Sequence, residues 1–100
     1  MYIMEFEKPS EVGYTIYSKS RCPFCTKVKV LLEEEPYTII DCDQYLVDDT
    51  TKQQFLLFIE NLIGKEYRTF PMIFKDGEFI GGFSETKVFY DKEQAFNGGV

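Results

Sequence analysis

The chain reads as an α/β domain, a four-stranded mixed sheet with helices on both faces. Three observations predict this. Runs of β-branched and aromatic residues alternate with stretches of helical spacing in the order strand, helix, strand, helix, strand, strand, helix. A Cys-Pro-Phe-Cys stretch, Cys22 to Cys25, sits where the first strand candidate meets the first helix. Asp76-Gly77, a two-residue hairpin signal, joins the last two strand candidates.

Residues 1–12 read as an N-terminal extension. Tyr2, Ile3, Met4 and Phe6 suit a short extra strand or packing along the surface, and Pro9-Ser10 reads as a join. The domain proper is expected over 13–96. Gly13 to Tyr17 is apolar or aromatic on both faces, as in the middle of a covered sheet. Helix 1 is expected from Pro23 to Glu34, with Phe24, Val28, Leu31 and Leu32 on its apolar face and Pro36 ending it. Tyr37 to Asp41 is a second, β-branched strand, and strand–helix–strand implies a right-handed crossover and a parallel pair. Thr50 or Thr51 is the expected cap of a second helix ending at Ile63, with Phe55, Phe58, Ile59 and Leu62 as its core stripe and Gly64 as its stop. Met72 to Lys75 and Glu78 to Ile80 form the antiparallel hairpin. Ser84 is the expected cap of the last helix, with Glu85 in its first turn and Val88, Phe89 and Phe96 toward the sheet. Residues 97–100 read as a frayed tail.

Composition narrows the function. The chain has 100 residues, 44% of them apolar and 17% aromatic, enough for one packed domain. A net charge of −6 argues against nucleic acid as a partner. The longest apolar run, Phe55 to Ile59, is far too short to span a membrane. The first residues lack a secretory pattern, and three cysteines make no disulfide framework, so a reducing compartment such as the cytoplasm is expected. Charge is also uneven. Between Glu11 and Glu33 there is no acid, yet Lys19, Arg21, Lys27 and Lys29 all fall there. Lys27 and Lys29 read as a solvated helix face. Lys19 and Arg21 lie close enough to Cys22 to favour its thiolate and an anionic substrate.

The order strand, turn, cysteine, helix puts Cys22 at or just before a helix N-terminus. Free backbone N–H groups and the helix dipole favour negative charge there. Pro23 suits the first helical position. The thiolate is the nucleophile of thiol–disulfide exchange, and Cys25, one turn along, can resolve a mixed disulfide on Cys22. Zinc needs about four ligands. The chain offers no histidine and one further cysteine, Cys42, so redox chemistry is the better reading and no metal is expected. Cys–His catalysis is likewise unavailable. Cys42 reads as a half-buried packing residue. Asp41, Asp43, Asp48 and Asp49 read as a solvated acidic loop lacking the glycine and terminal glutamate of an EF-hand.

Over residues 13–95 the sequence resembles a glutaredoxin of the thioredoxin-like fold. Three motifs carry the resemblance, in the family's order. Lys19-Ser20-Arg21-Cys22-Pro23-Phe24-Cys25 is similar to the active-site stretch, with Phe24 where tyrosine is usual. Thr69-Phe70-Pro71 is similar to Thr-Val-Pro, and Gly81-Gly82-Phe83-Ser84-Glu85 to Gly-Gly-x-x-Asp. Without the family, Pro71 reads as an ordinary trans proline at a strand edge, and the glycines as a tight turn.

The resemblance implies a cis Phe70–Pro71 peptide, with Phe70 pairing the cysteinyl unit of glutathione. It implies that Gly81 and Gly82 allow close backbone approach, that Ser84 and Glu85 hold the γ-glutamyl end, and that Lys19 meets the glycyl carboxylate. Thr69 and Pro71 belong to the same binding segment, and the Phe24 ring flanks the ligand. Many relatives also have a glutamine in the second helix. Leu56 stands there, with Gln53 and Gln54 displaced, and Arg68 is the expected substitute. The loop from Gly64 to Thr69 is longer than in familiar members.

The activity so implied is that of a monomeric, dithiol, glutathione-dependent thiol–disulfide oxidoreductase. Cys22 and Cys25 are its catalytic pair and glutathione its co-substrate. Glutathionylated or disulfide-containing proteins are its clients; ribonucleotide reductase is a common client in the family. Two alternatives share the fold: a redoxin reduced by thioredoxin reductase, and a non-catalytic iron–sulfur cluster carrier, against which Pro23 argues.

Overall fold

A computed structural model describes the backbone of residues 5–98 and the side chains of residues 5–95. Strands β1 (Tyr14–Ser18), β2 (Tyr37–Asp41), β3 (Met72–Lys75) and β4 (Glu78–Gly81) form one sheet in the order β2-β1-β3-β4. Helix α1 (Pro23–Leu31) links β1 to β2, which pair in parallel from Tyr14↔Tyr37 to Ser18↔Asp41. Helix α2 (Asp49–Ile63) leads to β3, antiparallel to β1, and helix α3 (Phe83–Gly98) follows β4. This is the four-stranded mixed sheet expected from the pattern, in the thioredoxin-like arrangement that the resemblance implies.

Side-chain alternation divides the interior into two layers. Tyr17, Ile40, Met72 and Phe74 face one side and pack with Phe55, Leu56 and Ile59 of α2. Tyr14, Ile16 and Ile73 face the other and pack with Val28 and Leu32, with Phe83, Phe89 and Tyr90 of α3 beside them. Strand β1 is buried along its whole length, as its doubly apolar sequence predicts. The β3–β4 turn places Asp76 and Gly77 at φ 52° and 84°, the left-handed pair required by a tight hairpin. The Asp76 carboxylate then accepts the Gly13 N–H at 2.8 Å, tying the hairpin to the start of β1.

Several helix details differ from expectation. Helix α1 stops at Leu31 instead of Glu34. Glu33, Glu34 and Glu35 place negative charge at the negative end of the dipole, and Pro36 excludes helical backbone at Glu35. Its buried face uses Cys25 and Val28, whereas Phe24 is 51% exposed. Asp48, not Thr50 or Thr51, caps α2, accepting the Thr51 N–H at 2.8 Å. The α2 stripe is rotated by about one position: Leu56 is buried and Leu62 exposed. Helix α3 begins at Phe83, so Ser84 lies inside the first turn instead of capping it. Thr86 is buried on α3 where Val88 was expected, and Val88 is 54% exposed. Both α2 and α3 are set by which residues meet the sheet, information that spacing alone leaves ambiguous by a residue.

Helix α3 continues through Asn97 to Gly98. The Phe96 side chain and residues 99–100, like residues 1–4, lie outside those described. Ahead of β1, Phe6 packs against Tyr45, Phe55 and Phe58 at centroid distances of 4.8, 5.5 and 5.4 Å. The Tyr17 hydroxyl donates to the Glu7 carbonyl, and Ser10 N–H donates to Thr15 Oγ1 at 2.9 Å. Residues 5–10 therefore run as a strap across the α2 side of the sheet.

Candidate active site

Cys22 caps α1 with extended backbone (φ −125°, ψ 96°), and its Sγ accepts the Cys25 N–H at 3.2 Å. Its carbonyl takes the Cys25 and Thr26 N–H groups at 3.1 and 3.2 Å, so the cysteine is locked onto the first helical turn. Pro23 occupies the start of the helix and no acid lies in that turn, leaving the positive end of the dipole unopposed at Cys22. The two Cα atoms are 5.2 Å apart and the sulfurs are joined as a disulfide.

The approach to Cys22 is held from the segment just after β2. Cys42 N–H donates to the Ser18 carbonyl at 2.8 Å, and Ser20 N–H donates to Asp43 Oδ1 at 2.9 Å. The bond from Ser20, and then the Lys19 charge, hold the Asp43 carboxyl below its ordinary range. Arg21 adopts φ 55°, the left-handed region a branched-free side chain enters only when its surroundings demand it. Lys19 and Arg21 are both exposed.

Cys42 is different chemistry. It is 0% exposed, not half-buried, and its Sγ lies 3.6 Å from the Ile40 carbonyl. Burial first, and the Asp41 charge second, push its thiol up to about 12. It is no thiolate at neutral pH.

Beside the disulfide runs a groove of about 360 Å³. Seven of the expected binding residues line it: Phe24, Thr69, Phe70, Pro71, Gly82, Ser84 and Glu85. The Phe70–Pro71 peptide is cis. The Phe70 ring stacks on Phe55, 6.1 Å away and 10° from parallel, and Lys19 Nζ lies 6.0 Å from its centroid. Across the groove Phe24 packs on Phe83 at 5.8 Å. Glu85 Oε1 accepts the Gly82 N–H at 2.9 Å, the side-chain arm of a capping box with glycine at the cap. Gly81 lies behind that arm: at φ 142°, any Cβ on it would meet the Glu85 Cβ at 2.8 Å. The N–H groups of the following first turn have no intrahelical acceptor, an arrangement that suits a negatively charged group.

Two expected residues stand apart. Arg68 pairs with Glu66 at 3.2 Å and lines a separate hollow with Gln53, Leu56, Leu57 and Glu60. Lys19 lines another with Lys29, Asp41 and Asp43, reaching the groove only through Phe70. Conversely, Tyr67 and Phe83 line the groove and were not singled out. Phe83 lies within the glycine motif; Tyr67 is the one aromatic residue of a polar loop, the only signal available in its case. A further cavity of about 450 Å³ lies between the β3–β4 hairpin and α3; neither cysteine of the pair lines it or the groove.

A family model described as Glutaredoxin matches residues 14–80. Glutaredoxin-C6 of rice (Oryza sativa subsp. japonica) is 37% identical over 80 residues, covering 80% of this chain and 68% of that protein. Glutaredoxin-C8 of rice is 33% identical over 81 residues, covering 76% and 54%; the chain thus spans about half the length of that relative. Glutaredoxin 1 of Francisella tularensis, in complex with cacodylate, superposes with a TM-score of 0.62 at 32% identity, covering 80% of this chain and 93% of that one. Buckwheat glutaredoxin, in its glutathione complex, shares the fold with a TM-score of 0.65 at 23% identity, covering 84% and 73%.

Proposed function

Because the chain belongs to the glutaredoxin family, we propose that it is a glutathione-dependent thiol–disulfide oxidoreductase. One observation carries this reading: a redox-capable cysteine caps a helix whose Phe24, between the two cysteines, lines a groove shared with the first turn of a second helix, Phe83 to Glu85. A peptide with a thiol in its middle and a carboxylate at its end fits that pair of sites. Glutathione is such a peptide.

The Cys22 thiolate attacks the glutathione sulfur of a glutathionylated protein. The new Cys22–glutathione disulfide forms as the old disulfide breaks, and the client leaves as a thiolate that takes up a proton. A second glutathione thiolate then attacks that disulfide, releasing oxidised glutathione and restoring Cys22. With a protein disulfide, Cys22 joins one client sulfur. Cys25, as thiolate, then attacks Cys22 Sγ, expels the client and forms the intramolecular disulfide found here. Two glutathiones return it to the dithiol. Glutaredoxin potentials of roughly −200 to −230 mV let a cytosolic glutathione pool drive that return. The cytoplasm is accordingly the proposed compartment. The protein acts as a monomer on client proteins of the disulfide or glutathionylated class.

The test uses reduced protein, a glutathionylated peptide and glutathione as sole reductant. Rapid turnover is expected for wild type, none for Cys22→Ser, and retained turnover for Cys25→Ser. Wild-type inactivity with intact thiols, or equal loss in both variants, would sink the reading; activity only with thioredoxin reductase would replace it.

A further inference from the structure

Gly82 is a glycine for lack of room and not for its backbone: its φ is not in the left-handed region, unlike that of Gly81. A Cβ on Gly82 would sit 3.0 Å from the Tyr67 hydroxyl and 3.6 Å from the Pro71 carbonyl. The hydroxyl therefore occupies the space beside the first turn of α3. Its ring is braced edge-on against Phe79, with centroids 4.9 Å apart and planes at 73°. Tyr67 is half-buried, and among the described residues its hydroxyl makes no hydrogen bond.

Of the side chains lining the groove, Tyr67, Thr69 and Ser84 carry a hydroxyl donor, and the Tyr67 hydroxyl is the one that lies nearest a Cβ on Gly82. Phe24, Phe70, Phe83 and Pro71 bring no hydrogen-bonding side-chain atom. The Glu85 carboxylate can only accept, and it is engaged with the Gly82 N–H. We propose that Tyr67 is a specificity residue, its hydroxyl donating a hydrogen bond to the carboxylate of the γ-glutamyl end of glutathione at the α3 N-terminus. This rests on the glutathione-dependent reading above. The hydroxyl adds a side-chain donor to the backbone N–H groups there, so it selects for the free α-carboxylate of that residue.

The test is Tyr67→Phe, which keeps the ring against Phe79 and removes the hydroxyl alone. Two mixed disulfides of one peptide serve as substrates: one with glutathione, the other with 4-aminobutyryl-cysteinylglycine, which lacks only the α-carboxylate. For the glutathione disulfide, KM should rise about tenfold with kcat unchanged. For the analogue, wild type and variant should have equal KM. An unchanged KM for the glutathione disulfide, in a variant whose melting curve matches wild type, overturns the proposal. So does an equal rise on both substrates, which would put the hydroxyl elsewhere on the ligand. If Tyr67→Phe melts early, the wild-type comparison decides: equal KM for both substrates refutes carboxylate recognition. Absence of wild-type turnover removes the glutathione reading itself, a result distinct from turnover indifferent to Tyr67.

Discussion

Alkali should unfold this protein through Cys42, and the loss can be sized from its burial. The thiol is enclosed among Tyr17, Tyr45 and the α2 layer, and its folded value is pushed up from 9.0 to about 12. The folded state therefore holds the proton over a window in which the unfolded chain has released it. Stability from this group is fully present below pH 9 and is lost as pH rises from 9 toward 12. Each pH unit inside that window costs about 1.4 kcal/mol, so the loss at pH 10.5 is about 2 kcal/mol. Tyr14, pushed up to about 12 by burial first, and Tyr17, also raised by burial, add a steeper fall above pH 10. The assay is urea unfolding of the disulfide form from pH 8 to 10.5, so that Cys22 and Cys25 do not titrate. Cys42→Ala should be less stable at pH 8, because of its cavity, yet lose about 2 kcal/mol less than wild type by pH 10.5. Parallel pH profiles for the two proteins would refute the reasoning, since they would mean that Cys42 ionises equally in both states.

Other outcomes follow from the same geometry. Asp48→Ala removes the α2 cap and should cost about 1 kcal/mol, read as a fall of several degrees in melting temperature. Gly81→Ala forces an L residue into φ 142° against Glu85 and should cost about 1–3 kcal/mol by urea titration; no loss would mean that the Glu85 arm swings away freely. Phe6→Ala, at a half-buried site on three rings, should cost about 2 kcal/mol, roughly half the value for a fully buried phenylalanine; an unchanged urea midpoint would show that the strap contributes nothing.

What could be read from the sequence was what depends on local chemistry. Strand β3, the Asp76-Gly77 turn, the Gly64 stop and the position of Cys22 each rest on residues whose preference acts in place. The groove segments followed because three motifs fixed them. What escaped depends on distant partners. Spacing on α1 admits either Phe24 or Cys25 to the core; the smaller cysteine is taken inside and Phe24 is left to meet Phe83. On α2 the choice of Leu56 over Leu62 depends on where the sheet lies. Phe6 gives no periodic signal, and its three aromatic neighbours are 39 or more residues away. Arg68, expected to stand in for an absent glutamine on α2, pairs with Glu66 and lines a hollow with Gln53 and Leu56 of that helix, outside the groove.

The walls of the groove rest on opposite sides of the sheet. Tyr67 and Phe70 are backed by the α2 layer, whereas Phe83 is backed by the layer of α1 and α3. Each wall thus has its own foundation. A change of volume at Phe55 is felt under Phe70, and one at Ile73 under Phe83, with β1 and β3 standing between as a rigid partition. The width of the cleft can therefore be tuned from either interior separately. The two walls of the groove can be altered through residues that do not line it, Phe55 on one side and Ile73 on the other.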